Sequence, residues 1–199
     1  MAASARPRRS VLYMPGSNAR ALDKARSLPA DGLILDLEDA VAPDAKATGR
    51  QQIVEHVRAG GYGRRELILR VNALNSPWGF EDLVAAATSG VDAVLLPKIE
   101  SADAVRQAEQ VLVAHGAPDS LAIWTMMETP RGMLRAEEIA DSTPRMAAFV
   151  MGTSDLAKDL HCAHTPMRLP MITSLGLCML AAKPSSSFRS PSSASTGRR

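Results

Sequence analysis

The stretch Gly32-Leu33-Ile34-Leu35-Asp36-Leu37-Glu38-Asp39 carries the pattern that decides the fold, because a continuous apolar run ends abruptly in acidic residues. Val94-Leu95-Leu96-Pro97-Lys98 repeats this pattern later in the chain. A strand made only of apolar residues is buried on both faces, which is typical of a parallel sheet covered by helices. The polar residue after each run then marks the carboxyl end of a strand.

Six such strand-then-helix units are predicted along the chain. No G-x-G-x-x-G motif follows the first strand, which disfavours a dinucleotide-binding doubly wound sheet. We therefore expect an α/β fold of the TIM (β/α)₈ barrel type over residues 1–182, incomplete because only six of the eight units are present. The predicted strands are residues 10–14, 32–36, 67–71, 92–96, 121–127 and 147–151, and the predicted helices are residues 19–27, 45–59, 80–89, 101–115, 133–141 and 169–182.

Composition narrows the class of protein. The chain has 199 residues, 46% of them hydrophobic, and only 2 cysteines, which indicates a globular protein in a reducing, cytoplasmic compartment. No uninterrupted apolar run reaches the roughly 18 residues of a membrane span, so no membrane segment is expected. The basic, acid-free N-terminus leaves a transit peptide as a minor alternative.

The net charge of +2 arises at the two ends of the chain. Residues 1–22 and 183–199 contain eight basic residues and no acidic ones, so residues 23–182 hold 15 basic residues against 21 acidic ones. A nucleic-acid-binding protein carries its positive charge on a folded face, so nucleic-acid partners are not expected. The Ser-rich, basic segment 183–199 is predicted to be disordered.

Two carboxylates follow neighbouring predicted strands. Glu128 lies in Met-Glu-Thr-Pro-Arg-Gly, and Asp155 lies in Gly-Thr-Ser-Asp-Leu. Two carboxylates with open positions between them suit Mg²⁺, which keeps several waters and completes its octahedron with substrate. The alternative is structural: the two side chains cap the following helices or pair with Arg131.

Charged residues at other strand ends complete the candidate site. Arg70 ends an apolar strand, where a guanidinium needs an anion, either a substrate carboxylate or a buried partner such as Asp36 or Glu38. We expect Arg70 to bind substrate and to be catalytic together with Glu38 and Asp39, although a solvated cluster is an alternative for Asp39. Lys98 is expected to have a structural or electrostatic role, because flanking acids keep its amine protonated and disfavour a Schiff base.

The motifs at these strand ends resemble the citrate lyase β-subunit-like family within the HpcH/HpaI aldolase group. The resemblance covers about residues 8–182. It rests on six motifs in the same order, which are Arg9-Ser10-Val11-Leu12 with Pro15-Gly16, Asp36-Leu37-Glu38-Asp39-Ala40-Val41, Arg70-Val71-Asn72, Leu96-Pro97-Lys98-Ile99-Glu100, Met127-Glu128-Thr129-Pro130-Arg131-Gly132 and Gly152-Thr153-Ser154-Asp155-Leu156.

The resemblance implies a barrel enzyme that makes or breaks a carbon–carbon bond beside a CoA thioester of a small hydroxy or dicarboxylic acid. It implies Mg²⁺ held at Glu128 and Asp155, substrate contacts at Arg70, Glu128 and Arg9, and homo-oligomers among full-length relatives. Two alternatives stay open: an impaired homologue that binds metal or ligand without turnover, and an aldolase acting on free 2-oxo acids.

The chain departs from the family after residue 182, where the family continues with two more strands. We hypothesise a frameshifted or otherwise altered form of a longer gene. Resequencing the locus tests this, since an in-frame stop after Arg199 with no barrel-like coding downstream would contradict it.

Overall fold

Six parallel strands form one sheet, and each is hydrogen-bonded to the next in chain order. The structure is a computed structural model that describes residues 7–183. The strands are β1 Val11–Pro15, β2 Gly32–Asp36, β3 Glu66–Arg70, β4 Ala93–Leu96, β5 Ala122–Met127 and β6 Met146–Met151, and the helices are α1 Ala19–Ala25, α2 Lys46–Ala59, α3 Gly79–Ser89, α4 Ala102–Ala114, α5 Pro130–Leu134, α6 Ala136–Ala140, α7 Thr153–Asp159 and α8 Ile172–Ala181. Short 3₁₀ turns, Pro43–Ala45 and Leu169–Met171, precede α2 and α8.

The alternation of parallel strands and helices confirms the predicted α/β barrel-type fold. Side chains on one face of the sheet pack together inside the curved sheet and form a small inner cluster, namely Ile34, Ile68, Ala93, Leu95, Trp124 and Met126. Side chains on the other face pack against the helices in the larger core. Because all six strands run the same way, their carboxyl ends form one rim, and this rim carries the polar residues singled out in the sequence.

The two outer strands leave one side of the sheet open. Strands β2, β3 and β4 are buried at every position, whereas β1 and β6 are partly exposed. Within residues 7–183, β1 and β6 do not pair with each other, and a cleft of about 330 Å³ lies between them. Six units therefore produce an incomplete barrel, as the sequence predicts.

Helices α1 and α4 each begin directly after a side chain that caps the helix. Asn18 accepts a hydrogen bond from the Ala21 N–H, and Ser101 accepts one from the Ala104 N–H. N-capping by these short polar side chains makes a helix begin at a defined residue. In the described part of the chain, the helices are all too short or too polar to cross a bilayer.

Three predictions about helices were wrong in detail. The single helix predicted over residues 133–141 is two short helices, α5 and α6, separated at Arg135, whose φ of −115° is not helical. Helix α7 was not predicted, because seven residues without a capping side chain give little periodic signal. The last predicted helix begins with a 3₁₀ turn before α8. The segment predicted to be disordered lies, from residue 184 onward, outside the described residues.

Candidate functional site

Arg70 and Asp36 form the buried centre of the rim. They are direct neighbours in the register of β3 and β2. The Arg70 Nε and Nη2 atoms each donate to a different oxygen of Asp36 at 2.6 Å, so the guanidinium and carboxylate form a two-point pair. Asp36 also accepts the backbone N–H groups of Glu38 and Ala40 at 2.8 and 3.2 Å. Asp36 thus neutralises Arg70 and fixes the turn that follows β2.

Glu38 and Asp39 reach the same guanidinium from that turn. Glu38 Oε2 lies 2.8 Å from Arg70 Nη1 but accepts no aligned hydrogen bond, so the contact is mainly electrostatic. Asp39 Oδ2 lies 3.4 Å from Nη1, and its side chain is 65% exposed. The partner that the sequence left open for Arg70 is therefore Asp36, and Asp39 lies at the solvent edge.

Glu38 has the chemistry of a proton carrier near neutral pH. Burial raises the pKa of Glu38 from 4.5 to about 7, and the nearby charges of Asp39 and Glu128 act in the same direction. Arg70 opposes this rise, as does Lys98, whose Nζ lies 3.9 Å from Glu38 Oε1. A carboxyl group balanced between its two protonation states can accept or return a proton during a reaction.

Glu128 is held against the end of β6. Its side chain is buried, and Oε1 accepts the Lys98 backbone N–H at 2.8 Å. A Cβ atom on Gly152 would lie 2.5 Å from both Cβ and Oε2 of Glu128, so only glycine fits there. Gly152 directly precedes α7, and Asp155 lies in the first turn of that helix. The fold therefore brings the Oε2 side of Glu128 to the helix that carries Asp155.

The two carboxylates influence one another electrostatically. Burial raises the pKa of Glu128 above its usual range, and the charge of Asp155 raises it further. Neither predicted structural role holds within the described residues: no side-chain cap is present on α7, and Arg131 contacts Glu100 at 3.8 Å. Two carboxylates whose negative charges repel one another have the oxygen-donor chemistry that Mg²⁺ prefers. No third His, Cys, Asp or Glu joins them in the part described, so water and substrate would fill the other positions.

A buried polar network supports the turn that carries Glu38, and the sequence did not reveal it. Lys46 Nζ donates to the carbonyl oxygens of Leu37 and Glu38 at 2.8 and 2.6 Å. The Asn72 side chain also donates to the Leu37 carbonyl, and its own position is fixed by Asp82. Lys46 looks like an ordinary surface lysine at the start of a helix, so only its burial identifies it.

Tyr13 is a second residue that the sequence did not single out. Its ring lies 5.1 Å from the Arg70 guanidinium carbon, and its hydroxyl lies 3.9 Å from Met126 Sδ. Burial raises the pKa of Tyr13, whereas the charge of Arg70 opposes the rise. Alternation along β1 points Tyr13 into the barrel, and this was the available signal.

Arg9 lies away from these residues. It precedes β1 by two residues, and at about 3.3 Å per strand residue it is about 20 Å from the rim. Its backbone N–H donates to Asp31 Oδ2 at 2.8 Å, and its side chain is 91% exposed. The structure places Arg9 at the opposite end of the strands from the other candidate residues, and its expected substrate contact stays a prediction.

Comparison with known proteins agrees with this architecture. The model of the HpcH/HpaI aldolase/citrate lyase family matches residues 9–188. The chain belongs to this family. It is 50% identical over 183 residues to a (3S)-malyl-CoA thioesterase of Cereibacter sphaeroides, covering 92% of this chain but only 62% of that relative. It is 37% identical over 166 residues to citrate lyase subunit beta of Escherichia coli K12, covering 81% of this chain and 55% of that relative.

A solved structure similar to this chain contains two bound ligands. The citrate lyase beta subunit of M. tuberculosis, complexed with oxaloacetate and magnesium, superposes with a TM-score of 0.70 at 27% identity. The match covers 86% of this chain and 72% of that one. Magnesium is thus bound within the family, and the chain spans about 62% of the length of the first curated relatives it matches.

Proposed function

We propose that this protein is a Mg²⁺-dependent carbon–carbon lyase that acts on the CoA thioester of a small hydroxy or dicarboxylic acid, of the malyl-CoA or citryl-CoA type. The observation that carries the proposal is the pair Glu128 and Asp155 at the rim, beside the buried Arg70–Asp36 pair. Family membership and the thioester named for the 50% identical relative support the substrate class.

In this proposal Glu128 and Asp155 hold the metal. When bound, Mg²⁺ supplies Lewis-acid stabilisation of negative charge on a substrate oxygen. Arg70 is oriented by its two-point pair with Asp36, and in this proposal its remaining Nη1 group donates a hydrogen bond to a substrate oxygen and stabilises an oxyanion there. Both Arg70 and the acidic pair are fixed before substrate arrives, so little reorganisation is needed.

Glu38 is the proposed proton carrier, and Asp39 is a weaker candidate at the solvent edge. In the cleavage direction Glu38 accepts the proton of the substrate hydroxyl as the adjacent carbon–carbon bond breaks. The bonding electrons pass to the carbon next to the thioester carbonyl, and the enolate formed there takes back the proton that Glu38 accepted. A pKa of about 7 lets Glu38 serve in this role at neutral pH.

The test is Mg²⁺-dependent release of acetyl-CoA and glyoxylate from malyl-CoA. We expect Glu128→Ala to lower the rate at least about tenfold, since it removes a metal ligand. Glu100→Ala is the matched control, because Glu100 is a half-exposed residue near the same rim whose carboxylate pairs with Arg131 at 3.8 Å. Circular dichroism establishes that both variants fold. Equal rates in the two variants would refute the assignment of Glu128.

Thioester hydrolysis is the second candidate function, and the 50% identity to a malyl-CoA thioesterase favours it. The products separate the two reactions: hydrolysis releases free CoA and malate, whereas carbon–carbon cleavage releases acetyl-CoA and glyoxylate. A thiol reagent detects free CoA, and chromatography detects acetyl-CoA. Free CoA without acetyl-CoA would replace the lyase assignment with hydrolysis while retaining the same substrate and site.

A further inference from the structure

Lys98 has a backbone conformation that is unusual for its residue type. Its φ is 51°, in the left-handed region, where only glycine, asparagine and aspartate are common. It directly follows β4 and Pro97, and no glycine relieves this strain. The Lys98 N–H donates to Glu128 Oε1 at 2.8 Å, and the left-handed φ sets the angle between the peptide that carries this N–H and the chain that continues into Ile99.

The next residue is confined by a close backbone approach. A Cβ atom on Gly132 would lie 2.4 Å from the Ile99 carbonyl oxygen, so the start of α5 packs directly on the loop after Lys98. Gly132 is itself fixed, because its N–H donates to the Thr129 hydroxyl at 3.1 Å. The start of α5, the helix that follows Glu128, therefore holds the left-handed turn at Lys98 in place.

The two oxygens of Glu128 consequently have different surroundings. Oε1 is engaged by the Lys98 N–H, whereas Oε2 lies against Gly152, at the start of the helix that carries Asp155. A hydrogen bond from a backbone N–H to a carboxylate is strong and directional, so it fixes the rotation of the carboxylate group.

We propose that the left-handed backbone at Lys98 is a positioning device that orients the Glu128 carboxylate for the metal ion, with Oε1 turned to the Lys98 N–H and Oε2 turned to Gly152 and the start of α7. Lys98 is a positioning residue, since it acts on the ion through Glu128. The inference rests on the proposed metal site, and it concerns the backbone of Lys98 more than its ammonium group.

Two variants separate the backbone from the charge. Lys98→Asn and Lys98→Val both remove the ammonium group near Glu38. Asparagine tolerates the left-handed region, whereas a β-branched valine does not. We expect Lys98→Val to bind Mg²⁺ roughly tenfold more weakly than Lys98→Asn, in line with the loss of a group that orients a metal ligand. Isothermal titration with MgCl₂ alone measures this.

The unchanged chain offers an independent readout that needs no activity. The sequence has five lysines, at positions 24, 46, 98, 158 and 183, so ¹⁵N-lysine labelling gives a simple amide spectrum. The peak that disappears in Lys98→Asn is the Lys98 amide. We expect Mg²⁺ to shift this peak while the Lys24 peak, from α1, stays in place.

The outcomes distinguish this inference from the proposed function. If Mg²⁺ binds but the Lys98 amide does not move, or if the asparagine and valine variants bind Mg²⁺ equally, the positioning role is wrong and the metal site stands. If the unchanged chain binds no Mg²⁺, both are wrong. Should Lys98→Val fail to fold, the Lys98 amide in the unchanged chain still decides the question.

Discussion

Protonation of Glu38 is expected to make the stability of this protein depend on pH. Burial raises the pKa of Glu38 from 4.5 to about 7 in the folded state, so the folded chain binds this proton more tightly than the unfolded chain. The contribution of Glu38 to the free energy of unfolding is therefore greatest below about pH 4.5. It falls as the pH rises toward 7 and is level above that value.

The magnitude follows from the size of the shift. A rise from 4.5 to about 7 corresponds to about 3 kcal/mol between the two ends of this window. The Glu38 side chain is only 11% exposed, so solvent screens this energy weakly. Other groups also titrate in this range, and a comparison with Glu38→Gln removes their contribution because they are present in both proteins.

The assay is urea unfolding followed by circular dichroism at several values between pH 4.5 and pH 8. We expect the stability difference between the unchanged chain and Glu38→Gln to move by about 3 kcal/mol in favour of the variant as the pH rises. Glu100→Gln serves as the control, because Glu100 is a half-exposed carboxylate that pairs with Arg131, away from the acidic cluster around Glu38. Parallel pH profiles for the unchanged chain and Glu38→Gln would refute the reasoning.

Three further predictions concern the residues that hold the site together. Gly152→Ala places a methyl group 2.5 Å from Glu128 Oε2, so we expect about tenfold weaker Mg²⁺ binding by calorimetry. Gly176→Ala is the control, because the space around Gly176 is open. Equal Mg²⁺ affinities of the two variants would contradict this prediction. Asp36→Asn leaves the buried Arg70 without its carboxylate partner, so urea unfolding should show a free energy of unfolding lower by about 3 kcal/mol. A decrease of less than about 1 kcal/mol would mean that other acidic residues replace Asp36 as the partner of Arg70. Lys46→Met removes the donor to two carbonyls, which should cost about 2 kcal/mol. It should also alter the fluorescence of Trp78, whose ring lies 5.3 Å from the ammonium group, and an unchanged spectrum would oppose this contact.

Much of the architecture could be predicted from local sequence. β2 was predicted at its observed bounds, since continuous apolar runs report burial on both faces. Residues such as Arg70 and Glu128 could be assigned to the carboxyl ends of their strands, because parallel strands direct all their carboxyl ends the same way, and their roles in the site stay predictions. Short elements such as α7 escaped prediction, as seven residues give too few periodic positions.

The sequence by itself determined the class of fold, the order of the strands and the rim at which Glu128, Arg70 and Glu38 lie. Only the tertiary structure decided that Asp36 is the partner of Arg70, that Lys98 directs its N–H at Glu128, and that Arg9 is at the far end. The physical reason is the separation along the chain of the residues involved. Apolar periodicity is a property of residues that are close in sequence. Pairing, burial and backbone strain depend on groups that meet only after residues 22 or more positions apart pack together.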